Sequence, residues 1–227
     1  MSNKLDKFFK GSDLTPTEAQ QIVKDGLDGT DFGEFYQEIT DSESIVKDKG
    51  VYAHVSSGNG ASGYGFRVGQ GEKTGYVFSD EFNKHALKNV ISEARKILKS
   101  GQNSKQQMNF GATKGPFYPS GNPMDGIDFD KKIDKIDEIE AYTLSLDPNI
   151  ENVSISYSSK AQDVHIITAD GKSLVDERPL TSLSISIALK GDDGKIEVGS
   201  SMVGGRATCT DVFNEAAYKQ AAQEALD

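Results

Sequence analysis

The sequence predicts an α+β fold in two sub-domains, each an antiparallel sheet packed with helices. Two patterns carry that expectation. Apolar and polar residues alternate over long stretches: Val153, Ile155 and Tyr157 against Ser154, Ser156 and Ser158, then Leu183, Ile185, Ile187 and Leu189 against Ser184, Ser186 and Ala188. Period two with one buried and one wet face marks antiparallel strands. Helical stripes accompany the strand-like stretches in both halves of the chain, as in an α+β arrangement. Between the halves, residues 101–126 are mostly Gln, Asn, Ser, Gly and Pro, with Pro116, Pro119 and Pro123 around Phe117 and Tyr118; long stretches of this kind are linkers or functional loops. The expected organisation is therefore an N-terminal domain of helix, meander and helix over 1–100, a linker over 101–126, and a central domain over 127–227.

Taken in order, the first ten or so residues read as a loose arm. Thr15-Pro16-Thr17-Glu18 then holds every part of a helix start: a hydroxyl cap, proline at the first helical position and a glutamate that reaches back. Ala19, Ile22, Val23 and Leu27 form its apolar stripe, and Gly26 or Gly29 can end it. From Phe35 to Phe78 the period changes to two, with turn residues at Asp41-Ser42, Asp48-Lys49-Gly50 and Gly69–Thr74. This predicts an antiparallel meander of about four or five strands. Ser79-Asp80 is the expected cap of a helix carrying Phe82, Ala86, Leu87, Val90, Ile91, Ala94, Ile97 and Leu98 on one face. In the second half, Phe129, Ile133, Ile136, Ile139, Tyr142 and Leu146 line a helix that Pro148 stops. Strands over Val153–Tyr157, Asp163–Thr168, Lys172–Arg178, Leu183–Leu189 and Lys195–Val198 follow, and the alanines from Ala216 to Ala225 promise a last helix. It meets Asp227 with neither a glycine cap nor a basic last turn, so the chain is expected to be cut within that element.

Composition narrows the chemistry. The net charge is −10, and an acidic chain without a Lys/Arg cluster argues against gripping a nucleic-acid backbone. Cys209 is the only cysteine, which excludes an internal disulfide and a Cys-built zinc site. No apolar run approaches the ~18 residues of a membrane span, and the N-terminus has no signal-peptide core; a soluble, cytoplasmic protein is expected. Gly58-Asn59-Gly60-Ala61-Ser62-Gly63 spells G-x-G-x-x-G, but that motif needs a helix directly after it to hold a pyrophosphate. Tyr64-Gly65-Phe66-Arg67-Val68 is a strand pattern, so the stretch reads as a flexible hairpin. His54, His85 and His165 show no H-E-x-x-H and no helical ligand spacing. The lysines Lys131, Lys132 and Lys135 among the acids of Asp125–Glu140 read as a solvated face. No catalytic and no metal-binding residue is assigned.

Two stretches carry a resemblance. Gly63-Tyr64-Gly65-Phe66-Arg67-Val68 followed by Gly71-Glu72-Lys73-Thr74-Gly75-Tyr76 resembles the G-x-G-x-R … G-E-K-T-G-aromatic signature of the TldD/PmbA family. Asp170-Gly171-Lys172, Arg178-Pro179-Leu180 and the strand Leu183–Ile187 are similar to its central region, and Gly204-Gly205-Arg206 stands where the family has a glycine run ending in arginine. The sequence departs from the pattern at Ala207-Thr208-Cys209. The resemblance, closer to TldD than to its partner subunit, implies a zinc metallopeptidase whose H-E-x-x-x-H helix lies in a C-terminal half, acting on peptides in an enclosed cavity with a paired subunit. Nothing in this chain matches that helix, so no cofactor is expected here; zinc is expected in the full-length family member. The expected role is the non-catalytic N-terminal and central portion, which shapes the peptide-accepting cavity and pairs with a partner subunit of the same family or with itself. The interface or cavity-lining candidates are Gly65, Arg67, Lys73, Thr74, Gly75, Arg178 and Arg206. The alternative is a stand-alone truncated interaction module that pairs with a full-length member. The family has been linked to DNA gyrase function, but no nucleic-acid partner is expected here.

Overall fold

A computed structural model describes residues 4–99 and 121–227; most of the expected linker therefore lies outside the described residues. Six strands, β1 (Phe32–Asp48), β2 (Val51–Gln70), β3 (Lys73–Ser79), β4 (Ile150–Thr168), β5 (Ser173–Lys190) and β6 (Ile196–Gly205), alternate in blocks with helices α1 (Pro16–Leu27), α2 (Lys84–Lys99), α3 (Phe129–Leu144), α4 (Cys209–Val212) and α5 (Glu215–Leu226). The class is α+β. The strands form one sheet in the order β3-β2-β1-β4-β5-β6, where the sequence pattern suggested a separate sheet in each half.

Strand length explains that difference. β1, β2, β4 and β5 run 17, 20, 19 and 18 residues, well beyond the usual 3–10. Asp41-Ser42 does not turn the chain but lies inside β1, and Gly58–Gly63 lies inside β2; the expected meander of four or five strands is three. Turn propensity is a local preference, and cross-strand hydrogen bonding outweighs it where partners exist. Gly60 shows how: a Cβ there would fall 2.5 Å from the Thr40 carbonyl oxygen, so glycine permits the close backbone approach. The real turns are tight. Lys49 and Gly50, both with positive φ (50° and 73°), make a primed two-residue hairpin between β1 and β2.

The described residues pack as two compact units that do not follow chain order. Among the described residues, one draws on 4–39, 61–99 and 163–176, the other on 40–60, 121–162 and 177–227. Each unit thus takes a hairpin tip from the other half of the chain: β4–β5 gives His165 and Ile167 to the first, and β1–β2 gives Glu43 and Ile45 to the second.

In the first unit α1 starts as its sequence dictates. Thr15 Oγ1 accepts from the Glu18 amide at 3.3 Å and Glu18 returns to the Thr15 amide at 3.0 Å; these bonds hold its carboxyl at about 2. Gly29 follows in the left-handed region at φ 71°, and Arg95 of α2 closes the last carbonyls of α1 at Gly26 and Asp28. α2 begins at Lys84, not at Ser79-Asp80: Asn83 Oδ1 accepts from the Ala86 amide at 2.8 Å. Ile97, placed on the apolar face by spacing, is exposed. The N-terminal arm is not loose from Lys4 on. Phe8 and Phe9 are buried with Phe35, Phe66, Leu87 and Ile91, and Gln37 Nε2 donates to the Phe8 carbonyl at 3.0 Å. In the second unit, Ile136 and Ile139 of α3 and Tyr218, Ala221 and Ala222 of α5 bury Ile155, Tyr157, Leu183, Ile185 and Ile187. Among the described residues no helix is long and apolar enough to cross a membrane.

Candidate functional site

The β2–β3 hairpin is built on glycine. Its antiparallel register pairs Gly65 with Phe78, Arg67 with Tyr76 and Val68 with Gly75. Alternation sends Tyr64, Phe66 and Val68 into the core and Gly65, Arg67, Tyr76 and Phe78 to the opposite face. On the core side a Cβ on Gly75 would lie 2.2 Å from the Ala94 carbonyl oxygen, so α2 sits directly on the strand backbone. On the outer side a Cβ on Gly65 would meet the hydroxyl end of Tyr76 at 2.6–2.9 Å, so that side chain occupies the space over the glycine.

Missing side chains at Gly63 and Gly65 leave a trough of about 550 Å³, walled by Tyr36, Glu38, Tyr76, Phe78 and Asp80. Tyr76 and Phe78 stand with ring centroids 6.3 Å apart, planes 30° from parallel, and are 56% and 75% exposed. Tyr36 donates its hydroxyl to Glu38 at 2.8 Å. Tyr64 closes one side, its phenol pushed up to about 12 by burial. Arg67, on the same face, is held over the Phe32 ring at 5.7 Å.

The structure brings five of the seven candidate residues together on this hairpin. Gly65 is the floor of the trough and Arg67 its neighbour. Lys73 donates to the Leu98 carbonyl at 3.1 Å, near the C-terminal end of α2, where a cation offsets the helix dipole. Thr74 is exposed opposite Gly69, and Gly75 is buried. Arg178 and Arg206 belong to the other unit. There Arg206 donates to the Pro179 carbonyl at 3.0 Å, and Gly204 and Gly205 take φ of 149° and 131°, which favours glycine. The trough walls Tyr36, Glu38, Phe78 and Asp80 were not singled out from sequence. Their signal was the period-two alternation of Tyr76 and Phe78 beside the glycines Gly63 and Gly65, of which Gly65 pairs with Phe78.

A second cluster was missed outright. Lys132 is 1% exposed and binds Glu43 at 2.6 Å and the Met124 carbonyl at 2.7 Å, so it does not lie on a solvated face. Tyr157 donates to the same Glu43 carboxylate at 3.3 Å. Lys132, Ile136, Ile139 and Thr143 are the buried stripe of α3, and that spacing was the available signal. Cys209 lies beside them, its thiol donating to the Met124 and Asp125 carbonyls; burial pushes it up, which makes it an unreactive thiol.

Among the described residues no three His, Cys, Asp or Glu converge to hold a metal. His54 pairs with Ser56, His85 with Asn89 and His165 with Ser173. The G-x-G-x-x-G letters run through β2 and lead into strand, so they offer no helix terminus to a phosphate.

Residues 33–98 match a family model described as PmbA/TldA metallopeptidase domain 1, and residues 122–227 match the PmbA/TldA metallopeptidase central domain. A metalloprotease TldD homolog of Haemophilus influenzae is 30% identical over 178 residues, 78% of this chain and 36% of that protein. One from Buchnera aphidicola (subsp. Acyrthosiphon pisum) is 27% identical over 187 residues, 82% of this chain and 38% of that protein. Among solved structures, a candidate modulator of DNA gyrase from Bacteroides thetaiotaomicron superposes with a TM-score of 0.71 at 14% identity, over 92% of this chain and 49% of that one. TldE from Thermococcus kodakarensis gives 0.63 at 14%, over 91% and 46%. The chain thus spans well under half the length of these curated relatives.

Proposed function

As a member of the PmbA/TldD metallopeptidase family the chain carries that family's first and central domains, and we propose that it serves as the non-catalytic N-terminal and central portion of a TldD-like metallopeptidase. Its part is to shape a peptide-accepting surface and to pair with a second subunit of the same family, in the cytoplasm; the proteolysis belongs to the assembled full-length protein. The observation that carries this reading is the trough on β2–β3. It lies on the family-matched hairpin, on the sheet face away from α2, and presents aromatic rings and carboxylates around a backbone floor. A floor of glycine backbone with few polar groups suits an extended chain.

The zinc that the family resemblance implies would need a His-Glu-x-x-x-His helix, and no histidine of this sequence has glutamate after it.

Two measurements test the reading. Purified chain mixed with a full-length family member is expected to form a stable complex in sedimentation velocity, and alone to hold no stoichiometric zinc and to cleave no peptide. Tight zinc binding or peptidase activity by the chain alone overturns it.

A further inference from the structure

We propose that Met202 is a modification site, a thioether that hydroperoxides convert to the sulfoxide ahead of the buried Met124, and that the change turns the outward side of β6 from apolar to polar. Its consequence for pairing rests on the role proposed above. Of the four methionines in the sequence, Met124 and Met202 are among the described residues. Their settings are opposite. Met124 is 9% exposed, in the segment whose carbonyls take the Lys132 ammonium and the Cys209 thiol. Met202 is 70% exposed on the edge strand β6.

The register explains why nothing covers it. Met202 lies across from Ser184, with Ser182 and Ser186 on either side of that position and Ser200 and Gly204 two residues away on its own strand. Residues two apart share a sheet face, so β5 and β6 surround the sulfur with serine and glycine, too short to shield it from a peroxide oxygen. The step needs no catalytic side chain. A sulfur lone pair attacks one peroxide oxygen, and the S–O bond forms as the O–O bond breaks. The other oxygen departs as water or an alcohol, taking up through solvent the proton of the attacked one. The sulfur loses two electrons and the peroxide gains them. The product suits its surroundings better than the thioether did: thioether sulfur is a weak acceptor, whereas a sulfoxide oxygen is a strong one, and Ser184 stands at the ~4.5–5.5 Å Cβ separation of a cross-strand pair. Ile196, Val198 and Met202 are the exposed large apolar residues of β6. A sulfoxide among them is a dipole that any subunit covering this edge must strip of water.

The test treats the chain with hydrogen peroxide and follows each methionine by peptide mass spectrometry. Met202 is expected to oxidise at least about tenfold faster than Met124, with the unfolding midpoint unchanged and the thioether restored by methionine sulfoxide reductases. The oxidised chain should bind a full-length family member at least about fivefold more weakly, and a Met202→Leu variant given the same treatment should bind as tightly as before it. Equal rates at the two methionines, or a faster Met124, would overturn the site. Undiminished binding by the oxidised chain, or an equal loss in Met202→Leu, would overturn its consequence. If the untreated chain does not pair at all, the family role and this consequence fall together, while the two oxidation rates still decide the site.

Discussion

Lys132 and His165 show how far a single side chain can depart from its sequence context. Lys132 stands among acids that all look solvated, yet its ammonium is sealed between Glu43, Met124 and the Tyr157 ring. Removing one partner of such a pair strands the other charge, which costs about 3–5 kcal/mol, whereas replacing both by apolar groups is often neutral. Lys132→Met is therefore expected to lower the urea-unfolding free energy by about 3–5 kcal/mol, and Lys132→Met with Glu43→Leu to recover most of it; equal losses in the single and double variants would show that the cost comes from the lost packing and hydrogen bonds, not from a stranded charge. His165 is buried among the rings of Phe8, Phe9 and Phe35, its Nδ1 without a hydrogen-bond partner among the described residues. Burial pulls it down from 6.5 to about 4. Because the folded state resists protonation, the unfolded chain binds the extra proton between those values, and stability falls as pH drops from 6.5 toward 4. The loss is roughly 3 kcal/mol at 1.36 kcal/mol per unit. Unfolding midpoints of wild type and His165→Leu measured from pH 7.5 to 4.5 should diverge below pH 6.5, with the variant flatter. Parallel curves would assign the acid sensitivity to other groups.

At the scale of elements, helices were easier to read than strands. The cap at Thr15, the stripe of α1 and the stop of α3 follow from local chemistry and stand where the residues put them. Strand ends did not, because Asp41-Ser42 and Gly58–Gly63 look like turns but are spanned by pairing, and pairing partners are not adjacent in sequence. The glycines of the β2–β3 hairpin were visible as a cluster, while their separate reasons were not. Gly75 is glycine because of the backbone of α2, and Gly65 because of a movable ring. The consequence is a difference in tolerance. Gly75→Ala forces β3 and α2 apart and should cost about 1–3 kcal/mol, the range for overpacking. Gly65→Ala has only the Tyr76 ring to displace, and should cost less than about 1 kcal/mol, with Tyr76 swinging out of the trough. Thermal unfolding of the two variants checks the order. Equal costs would mean that Tyr76 is as fixed as backbone.

For the whole molecule, the strand order β3-β2-β1-β4-β5-β6 repeats one scheme, a helix, three strands and a closing helix, read outward from β1 and again from β4. The repeat was legible as helix-then-strands in both halves; the single sheet was not, since nothing local records that β1 and β4 are neighbours. Both ends repeat a detail too. Gly199 of β6 lies under the Ala225 carbonyl oxygen of α5, at 2.1 Å from its would-be Cβ, as Gly75 lies under Ala94. Both edge strands also turn apolar residues outward, Tyr76 and Phe78 on β3, and Ile196, Val198 and Met202 on β6. Val198 and Met202 are 69% and 70% exposed, and natural edge strands usually carry charge at such positions to prevent pairing. Exposed apolar residues gathered on an edge mark an interaction surface, and β6 ends in Gly204-Gly205, just before Arg206, within the stretch matched by the central-domain model. If subunit pairing uses this edge, Val198→Lys with Met202→Lys should weaken the complex with a full-length family member at least tenfold, about 1.4 kcal/mol. Neither side chain belongs to the buried core, so the unfolding midpoint of the isolated chain should stay put. Undiminished affinity in sedimentation equilibrium would move the pairing surface off β6, whereas a lowered unfolding midpoint would show that the strip serves the fold itself.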